Sequence, residues 1–230
     1  MKSIAVIGLG QFGYQVAISL TQKGFDVIAL DSDLELVTEI KDLVHSAVAL
    51  DTTDEKAMWA MNIDSVDKAI VAIGSNVQAS LLSTALLKRM EIRDIYVRAI
   101  TPLQESILKS MGIRHIINIE KEMGLQVSNL ISSDRIGRYI EISNKHSLLE
   151  VAVPTMFVGK SLKETNLREQ YKINIVGIKT PIPVIDDEGN VEYKLDMTDI
   201  PDPDYGFKKE DLLVISGTDE HLELFLKLGE

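Results

Sequence analysis

The chain has 230 residues, of which 45 % are hydrophobic, and a formal net charge of −11 from 24 basic and 35 acidic side chains. This length suits one large domain or two small ones, and the acidic surface, which has no basic stripe, argues against a nucleic-acid partner. The absence of cysteine excludes disulfides and thiolate metal sites, and no apolar run reaches the roughly 20 residues of a membrane-spanning helix. Because Met1 leads directly into the first predicted strand, we expect no signal peptide and a cytoplasmic location.

The first predicted strand leads into a glycine-rich turn. Residues 3–7 form a short run of apolar, mostly β-branched residues, which is typical of a buried parallel strand. Gly8, Gly10 and Gly13 follow at G-x-G-x-x-G spacing, and a helical apolar period then continues to Gly24. In such a unit the first glycine permits the tight turn, the second lets the backbone approach a pyrophosphate, and the third lets the helix pack on the strand.

A second strand, residues 25–30, ends at Asp31. A carboxylate at this tip accepts hydrogen bonds from both ribose hydroxyls, and the helix N-terminus offers free N–H groups to a phosphate. Strand, glycine turn, helix and acid together predict a nucleotide site. The alternative is a doubly wound domain that keeps its glycines for packing and binds nothing.

The next units place more polar groups at the ends of strands. Asp33 suits the N-cap of the second helix, and residues 46–50 read as the third strand. The tetrad Asp51-Thr52-Thr53-Asp54 follows this strand. Its residues have two compatible roles, as caps of the next helix or as contacts to an adenine or ribose edge.

The fourth and fifth strands complete the predicted crevice. Residues 68–74 form the fourth strand, and the carboxyl ends of the first and fourth strands flank the point where the strand order reverses. We therefore expect Ala72, Ile73 and Gly74 to line the nucleotide pocket. The fifth strand, residues 94–100, contains Arg98, whose charge needs a partner: a phosphate or a carboxylate from elsewhere in the chain.

A sixth strand, residues 115–119, is followed by Glu120 and by a predicted helix from Glu122 to about Ser132. Residues 1–134 thus read as an α/β, Rossmann-type doubly wound parallel domain with one trailing helix. No sheet face remains for this apolar helix, so we expect it to contact a partner chain or another domain.

Residues 135–230 have the alternating pattern of a small α+β domain. Thr180-Pro181-Ile182-Pro183 predicts an edge or turn, and Ser161-Leu162-Lys163-Glu164 predicts a capping box. The predicted strands are residues 139–142, 148–153, 173–178, 191–195 and 212–216, and a terminal helix covers residues 220–228.

This order of parts resembles the TrkA/KtrA-type cytosolic regulators of potassium channels and transporters, which have an N-terminal and a C-terminal RCK lobe. The resemblance covers nearly the whole chain. In the N-terminal part it rests on Ile-Gly-Leu-Gly-Gln-Phe-Gly at 7–13, Asp-Ser-Asp at 31–33, Asp-Thr-Thr-Asp at 51–54, Ala-Ile-Gly-Ser-Asn at 72–76 and Arg-Ala at 98–99. In the C-terminal part it rests on Val-Gly-Lys-Ser-Leu at 158–162, Asn-Ile-Val-Gly-Ile at 174–178 and Lys-Lys-Glu-Asp-Leu-Leu-Val-Ile-Ser-Gly at 208–217.

The resemblance implies a regulator and not an enzyme. Such proteins dimerise through the N-lobe and its trailing helix and form an octameric ring beneath a membrane potassium pore subunit of the TrkH or KtrB kind. ATP, ADP or NAD(H) in the crevice biases the shape of the ring. In some relatives cyclic di-AMP binds the C-lobe dimer, which corresponds here to residues 174–178.

Site residues follow from the resemblance by position. Glu120 lies at the dimer face, near the phosphates or a bound divalent cation. Gln11 stands where triphosphate sensors of the family often carry arginine, and this neutral residue leaves preference among ATP, ADP and NAD(H) open. The other implied cofactor-binding residues are Gly8, Gly10, Phe12, Gly13, Asp31, Ser32, Asp33, Asp51, Thr52, Ala72, Ile73, Gly74, Asn76 and Arg98.

Two other functions fit a nucleotide-binding domain. An NAD-dependent oxidoreductase needs an acid or base beside the nicotinamide, but His45, His115, His146 and His221 are scattered without telling spacing. A redox-sensing nucleotide-binding regulator of transcription needs a DNA-binding segment with a basic face, and the sequence shows neither.

Overall fold

A computed structural model describes residues 2–131, 136–186 and 189–229. The chain divides into two compact units, residues 1–122 and 123–230. The predicted boundary between residues 134 and 135 lies outside the described residues. Within the described ranges, no helix combines the length and the apolar character that crossing a lipid bilayer requires.

The first unit contains a six-stranded sheet in which all neighbouring strands run parallel. Its strands are β1 (Ser3–Ile7), β2 (Asp26–Asp31), β3 (Ser46–Ala49), β4 (Lys68–Val71), β5 (Asp94–Arg98) and β6 (His115–Ile117). The spatial order is β3-β2-β1-β4-β5-β6, so it reverses between β1 and β4. This confirms the predicted Rossmann-type doubly wound sheet, in which ligands bind at the reversal.

Helices connect successive strands of this sheet. They are α1 (Gln11–Gln22), α2 (Leu34–Ile40), α3 (Glu55–Ala60), α4 (Val77–Arg89) and α5 (Pro102–Ser110). Asp33, Asp54, Asn76 and Thr101 each accept a backbone N–H from the first turn of the helix that they precede. Gly10 precedes α1 and offers no side chain to its N–H groups, which leaves them for a ligand.

The sheet of the first unit is buried on both faces. Ala5 and Ile7 of β1 pack in one apolar cluster with Leu87 and Val97, whereas Val6 packs in another. Successive residues of a strand point to opposite faces, so each face needs its own layer of helices. The near-continuous apolar runs of the sequence follow from this double burial.

The chain after β5 departs from the predicted boundaries. β6 ends at Ile117, and the helix α6 (Ile119–Ile131) begins earlier than the predicted Glu122. The cause is Asn118, whose side-chain oxygen accepts the Lys121 N–H at 3.0 Å and so caps the new helix. The predicted end at Ser132 lies outside the described residues.

No residue of α6 is buried. Its exposed apolar side chains are Met123, Leu125, Val127, Leu130 and Ile131.

The second unit is built on a five-stranded antiparallel sheet. Its strands are β7 (Ile136–Ser143), β8 (His146–Ala152), β9 (Asn174–Ile185), β10 (Val191–Thr198) and β11 (Leu212–Thr218), and its helices are α7 (Leu162–Thr165), α8 (Leu167–Gln170) and α9 (Asp219–Leu226). The order is β10-β9-β11-β8-β7. Ser161 and Glu164 form the predicted capping box at α7. The α+β architecture predicted for this part of the chain is confirmed.

Of the two alternatives predicted for Thr180-Pro181-Ile182-Pro183, an edge or a turn, the structure has the edge. These residues lie in the middle of β9, which is twelve residues long. β11 pairs with β9 only as far as Lys179, so the two prolines lie where β9 has β10 as its one neighbour. The missing proline N–H groups therefore interrupt no ladder on the β11 side.

A buried carboxylate fixes the segment before β11. Asp211 is fully buried and accepts hydrogen bonds from the Thr180 hydroxyl at 2.9 Å, the Tyr205 hydroxyl at 2.9 Å and the Lys208 N–H at 2.8 Å. Burial raises the pKa of the Tyr205 hydroxyl, which stays a donor to this carboxylate. The cluster joins the loop to β9.

Candidate nucleotide-binding site

A cavity of about 510 Å³ lies at the carboxyl ends of the parallel strands. Most of the residues predicted from the sequence meet there: Gly8, Gly10, Asp31, Ser32, Asp33, Asp51, Thr52, Ala72, Ile73, Gly74, Asn76 and Arg98. Leu30, Leu36, Leu50, Ser75 and Ala79 also line it and were not predicted. Each of these five is close in sequence to a predicted residue at a strand end or helix start, which is the signal that could have identified it.

The glycine turn has the geometry that a phosphate-binding loop needs. Gly8 has a φ of +90°, a conformation that side chains rarely permit, and its N–H donates to the Leu30 carbonyl at 2.8 Å. A Cβ at Gly13 would lie 1.8 Å from the Gly8 carbonyl oxygen, so α1 approaches the turn too closely for any side chain. A Cβ at Gly10 would have no neighbour within 4 Å, so space for a ligand remains above the backbone.

Asp31 joins the tip of β2 to this turn. Its Oδ2 accepts the Leu9 N–H at 2.6 Å, and its Oδ1 accepts the Asp33 N–H at 2.9 Å. An ionised carboxylate has about four acceptor positions, so two remain for a ligand after these bonds. The sequence motif did not reveal that the carboxylate also holds the glycine turn in place.

The acidic tetrad divides into separate roles. Asp54 is the cap of α3, whereas Asp51 lines the cavity and accepts the N–H and the hydroxyl of Thr53 at 2.9 and 2.7 Å. These two hydrogen bonds lower the pKa of the Asp51 carboxyl and keep it ionised. Thr52 is buried and shares a 2.7 Å hydrogen bond with the Ser83 hydroxyl. Asp51 is thus the member of the tetrad whose carboxylate remains available at the cavity.

Arg98 reaches the cavity from the end of β5, and its side chain is only 21 % exposed. The sequence left a phosphate and a carboxylate as alternative partners for it, and in the structure its Nη2 pairs with the carboxylate of Glu120. The hydrogen bond from Arg98 lowers the pKa of the Glu120 carboxyl. Among the described residues, the buried Nε of Arg98 has no hydrogen-bond acceptor.

The guanidinium of Arg98 is held by close neighbours. Its central carbon lies 5.8 Å from the centre of the Phe12 ring. A Cβ at Gly74 would lie 2.6 Å from its Nη1, so a glycine at this position makes room for the arginine. Gly74 thus has a steric role in addition to lining the cavity.

Four of the implied residues stand outside the cavity lining. Gln11 is the exposed first residue of α1, Phe12 packs beside Arg98, and Gly13 is buried against the turn. Glu120 lies in the first turn of α6 and reaches the site through Arg98.

The described residues offer no metal-binding cluster: nowhere among them do three or more His, Asp or Glu side chains converge. Within one chain, the Glu120 carboxylate is a single donor that is already paired with Arg98. The cation that the resemblance implies lies at the face between two chains, so its site at Glu120 stays a prediction, and we assign no step to it.

The charged and polar lining limits the chemistry of the cavity. Among the described residues that form it, the ionisable groups are Asp31, Asp33, Asp51 and Arg98, with no histidine, lysine or tyrosine. These side chains are of the types that hydrogen-bond hydroxyls and pair with phosphates.

A second cavity, of about 350 Å³, lies in the second unit. Its lining is Leu162, Lys163, Asn166, Leu167, Arg168, Ile173, Asn174 and Ile175. Of the segment 174–178, Asn174 and Ile175 line this cavity. Lys163 and Arg168 add positive charge that the segment itself lacks.

Comparison with known proteins matches both units. Residues 4–119 match the TrkA-N domain and residues 148–228 match the TrkA-C domain. The chain is 37 % identical to Ktr system potassium uptake protein C of Bacillus subtilis over 184 residues, which cover 80 % of this chain and 83 % of that protein. It is 31 % identical to Ktr system potassium uptake protein A of the same organism over 228 residues, which cover 99 % and 97 % of the two chains.

Among solved structures, the GsuK channel superposes with a TM-score of 0.66 and 14 % identity. The superposition covers 99 % of this chain and 39 % of the channel chain. At this identity the likeness shows a shared fold.

Proposed function

Because the chain belongs to the TrkA family of potassium uptake proteins, with a TrkA-N domain followed by a TrkA-C domain, we propose that it is a regulatory subunit of a potassium channel or transporter. An adenine nucleotide binds the crevice of the first unit and changes the conformation of the assembly without being chemically consumed. The observation that carries this proposal is the cavity itself, where the glycine turn, Asp31 and Arg98 face one space.

The ligand class follows from the groups that face the cavity. The free N–H groups of α1 and the Arg98 guanidinium attract phosphates, and Asp31 accepts the two ribose hydroxyls. Leu36 and Leu50 give an apolar wall that suits a purine ring. ATP, ADP and NAD(H) all meet these requirements, and the neutral Gln11 supplies no additional charge that selects the triphosphate.

Arg98 provides a physical connection from the bound phosphate to α6. The guanidinium pairs with Glu120, in the first turn of that helix. A phosphate beside Arg98 competes with Glu120 for the same cation, so ligands with different phosphate positions weaken this pair to different extents. A difference of this kind is what a regulatory ligand needs, because only differential binding can shift a conformational equilibrium.

The exposed apolar residues fit an assembly of several copies. α6 presents an apolar face, and Leu82 of α4 with Leu103 and Ile107 of α5 present exposed apolar side chains elsewhere in the first unit. Patches of this kind mark protein contacts. We assign α6 to a homodimer and the α4–α5 surface to its assembly into an octameric ring, which acts on a membrane potassium pore subunit from the cytoplasm.

The cavity of the second unit is the proposed place for cyclic di-AMP. Lys163 and Arg168 suit its phosphodiesters, and the Asn174 amide can donate to or accept from an adenine edge. One chain offers half of the site, and a two-fold pair of chains holds the symmetric ligand. Calorimetry with cyclic di-AMP tests this assignment: Arg168→Gln should weaken binding, and wild-type protein without measurable binding contradicts it.

Mass spectrometry of the nucleotide that co-purifies with the protein, followed by calorimetric titration with ATP, ADP and NADH, tests the proposed ligand. We expect an adenine nucleotide to be released on denaturation and to rebind with one site per chain. Protein that carries no nucleotide and binds none of the three contradicts the proposal. Steady oxidation of NADH by a small ketone, or steady reduction of NAD+ by a small alcohol, would contradict the regulatory role.

A further inference from the structure

The strand β10 is a free edge of the second sheet. β9 is its one neighbour, and all eight of its residues are exposed. The exposed fractions of Val191, Tyr193 and Leu195 are 62, 72 and 50 %. A long edge strand with exposed apolar side chains is a template for pairing with another strand, and stable proteins cover or block such edges. Nothing in the described part of the chain covers this one.

The partner strand shows which backbone groups of β10 face the open side. Tyr193 is paired with Pro183, and Leu195 is paired with Pro181. Proline has no N–H to donate, so it suits the non-hydrogen-bonded pairs of an antiparallel ladder. In these pairs both residues turn their backbone groups away from each other. The N–H and C=O groups of Tyr193 and Leu195 therefore point out of the sheet edge, ready for another strand.

Charges of alternating sign lie on the face of β10 that is opposite Val191, Tyr193 and Leu195. Glu192, Lys194 and Asp196 lie on this face, and their β9 partners are Val184, Ile182 and Thr180, which carry no charge. The row is acidic, basic, acidic, so a two-fold axis through Leu195 places each Lys194 opposite the Asp196 of the other copy. The same axis places Tyr193 opposite Met197 and Leu195 opposite itself.

We infer that β10 is an interaction surface for a second copy of this chain: two β10 strands pair antiparallel about a two-fold axis at Leu195 and join the sheets of two second units into one. Such a contact is isologous, as most homodimer interfaces are. Lys194 and Asp196 form non-hydrogen-bonded pairs across it, in which the Cα atoms are about 4.5 Å apart and the side chains are close.

Other registers fit less well. An axis at Lys194 would place the two lysines opposite each other and Glu192 opposite Asp196, and like charges in such positions are destabilising. An axis at Tyr193 restores opposite charges but pairs fewer residues of β10. The strand of an unrelated protein would need a matching acidic, basic, acidic row, which a second copy provides by symmetry.

This interface would add to the proposed assembly, and it does not depend on the nucleotide site.

Cross-linking of the full-length protein tests the inference, because the natural chain has no cysteine. Leu195→Cys puts one thiol on the proposed axis, where two paired Cα atoms are about 5.5 Å apart, within the range of a disulfide. Mild oxidation without nucleotide should convert this variant to a covalent dimer. Val191→Cys is the matched control: it is equally accessible, but its two copies would be roughly 27 Å apart at about 3.4 Å per residue.

Charge exchange in the Leu195→Cys protein tests the register. Lys194→Glu or Asp196→Lys alone places like charges opposite each other, so the yield of covalent dimer should fall roughly tenfold. The double variant Lys194→Glu, Asp196→Lys restores opposite charges and should restore the yield. Circular dichroism melting of each variant checks that the fold is kept.

Several results would overturn the inference. No covalent dimer from Leu195→Cys would show that the edge is free or receives another protein. Equal yields from Leu195→Cys and Val191→Cys would show random collision. A double variant no better than the two single ones would rule out the proposed pairing of Lys194 with Asp196. Loss of nucleotide binding would leave all these outcomes unchanged, so the inference and the proposed function fail separately.

Discussion

Asp31 shows how one side chain can hold a loop and a ligand together. Its carboxylate fixes the Leu9 and Asp33 N–H groups and still has acceptor positions for a ribose. A substitution by alanine would remove both functions. Asparagine keeps one side-chain oxygen to accept from the Leu9 N–H but loses the charge, so it is the better probe of ligand recognition.

We expect Asp31→Asn to weaken ATP, ADP and NADH alike, by about 1–3 kcal/mol for a lost charged acceptor, or roughly 5- to 150-fold in affinity. Calorimetry measures this change. Asp67→Asn is the control, since Asp67 also accepts a backbone N–H, from Ser3 at 2.8 Å, but lies outside the cavity. Equal effects of the two substitutions would mean that Asp31 acts only on the fold.

Arg98 and Glu120 provide a second test at the scale of single residues. Because the hydrogen bond from Arg98 lowers the pKa of Glu120, Arg98→Gln should raise that pKa toward its ordinary value. An NMR pH titration of the Glu120 carboxyl measures the shift. A carboxyl with a lowered pKa stabilises the folded chain above its unfolded pKa and loses this effect as the pH falls through the folded one. Arg89→Gln, which removes the partner of Glu55, should leave the Glu120 titration unchanged.

At the scale of elements, the turn between β1 and α1 contains one glycine that is needed for packing, Gly13, and one that leaves space for a ligand, Gly10. A Cβ at Gly13 meets the Gly8 carbonyl at 1.8 Å, whereas a Cβ at Gly10 meets nothing within 4 Å and enters the cavity. The two glycines of one motif therefore have different functions. A substitution at each tells them apart.

Gly13→Ala should destabilise the first unit by about 1–3 kcal/mol, the usual cost of overpacking, as measured by urea unfolding. Gly10→Ala should leave stability nearly unchanged and weaken nucleotide binding, because the methyl group occupies the path of the phosphate. The reverse pattern, an unstable Gly10 variant beside a stable Gly13 variant, would contradict the geometry of this turn.

Sequence patterns identified those elements that depend on residues close together in the sequence. The glycine spacing, the cap at Asp33 and the capping box at Ser161 depend on residues within one turn of each other, and the structure has all of these elements. The partner of Arg98 is 22 residues away on α6, and no local pattern points to it. β9 continues through two prolines because β10 supplies the pairing, which is tertiary context overriding local preference.

At the scale of the whole molecule, α6 is the helix that packing within one chain stabilises least. None of its residues is buried, although it carries five exposed large apolar side chains, Met123, Leu125, Val127, Leu130 and Ile131. A single helix of thirteen residues is marginal in water without packing. The proposed dimer supplies the packing that α6 lacks.

Val127→Glu on α6 should therefore reduce the molar mass of the assembly, as measured by light scattering, because a charge enters the apolar face that Val127 shares with Met123, Leu130 and Ile131. The melting temperature of the sheet units should change little. Leu34→Glu is the control, since Leu34 is also exposed but lies on α2. An unchanged mass for Val127→Glu, or an equal loss for both variants, would exclude α6 as the dimer contact.

We propose that nucleotides change the behaviour of the assembly without being consumed. Potassium flux through the cognate pore subunit reconstituted with this protein, measured at saturating ATP, ADP and NADH in turn, tests this proposal. We expect at least two different flux levels, which exchange of the ligand reverses, with all the nucleotide recovered intact. Arg98→Gln should remove the difference between these levels. The same flux with all three nucleotides and with none, in protein that binds them, would contradict the proposal.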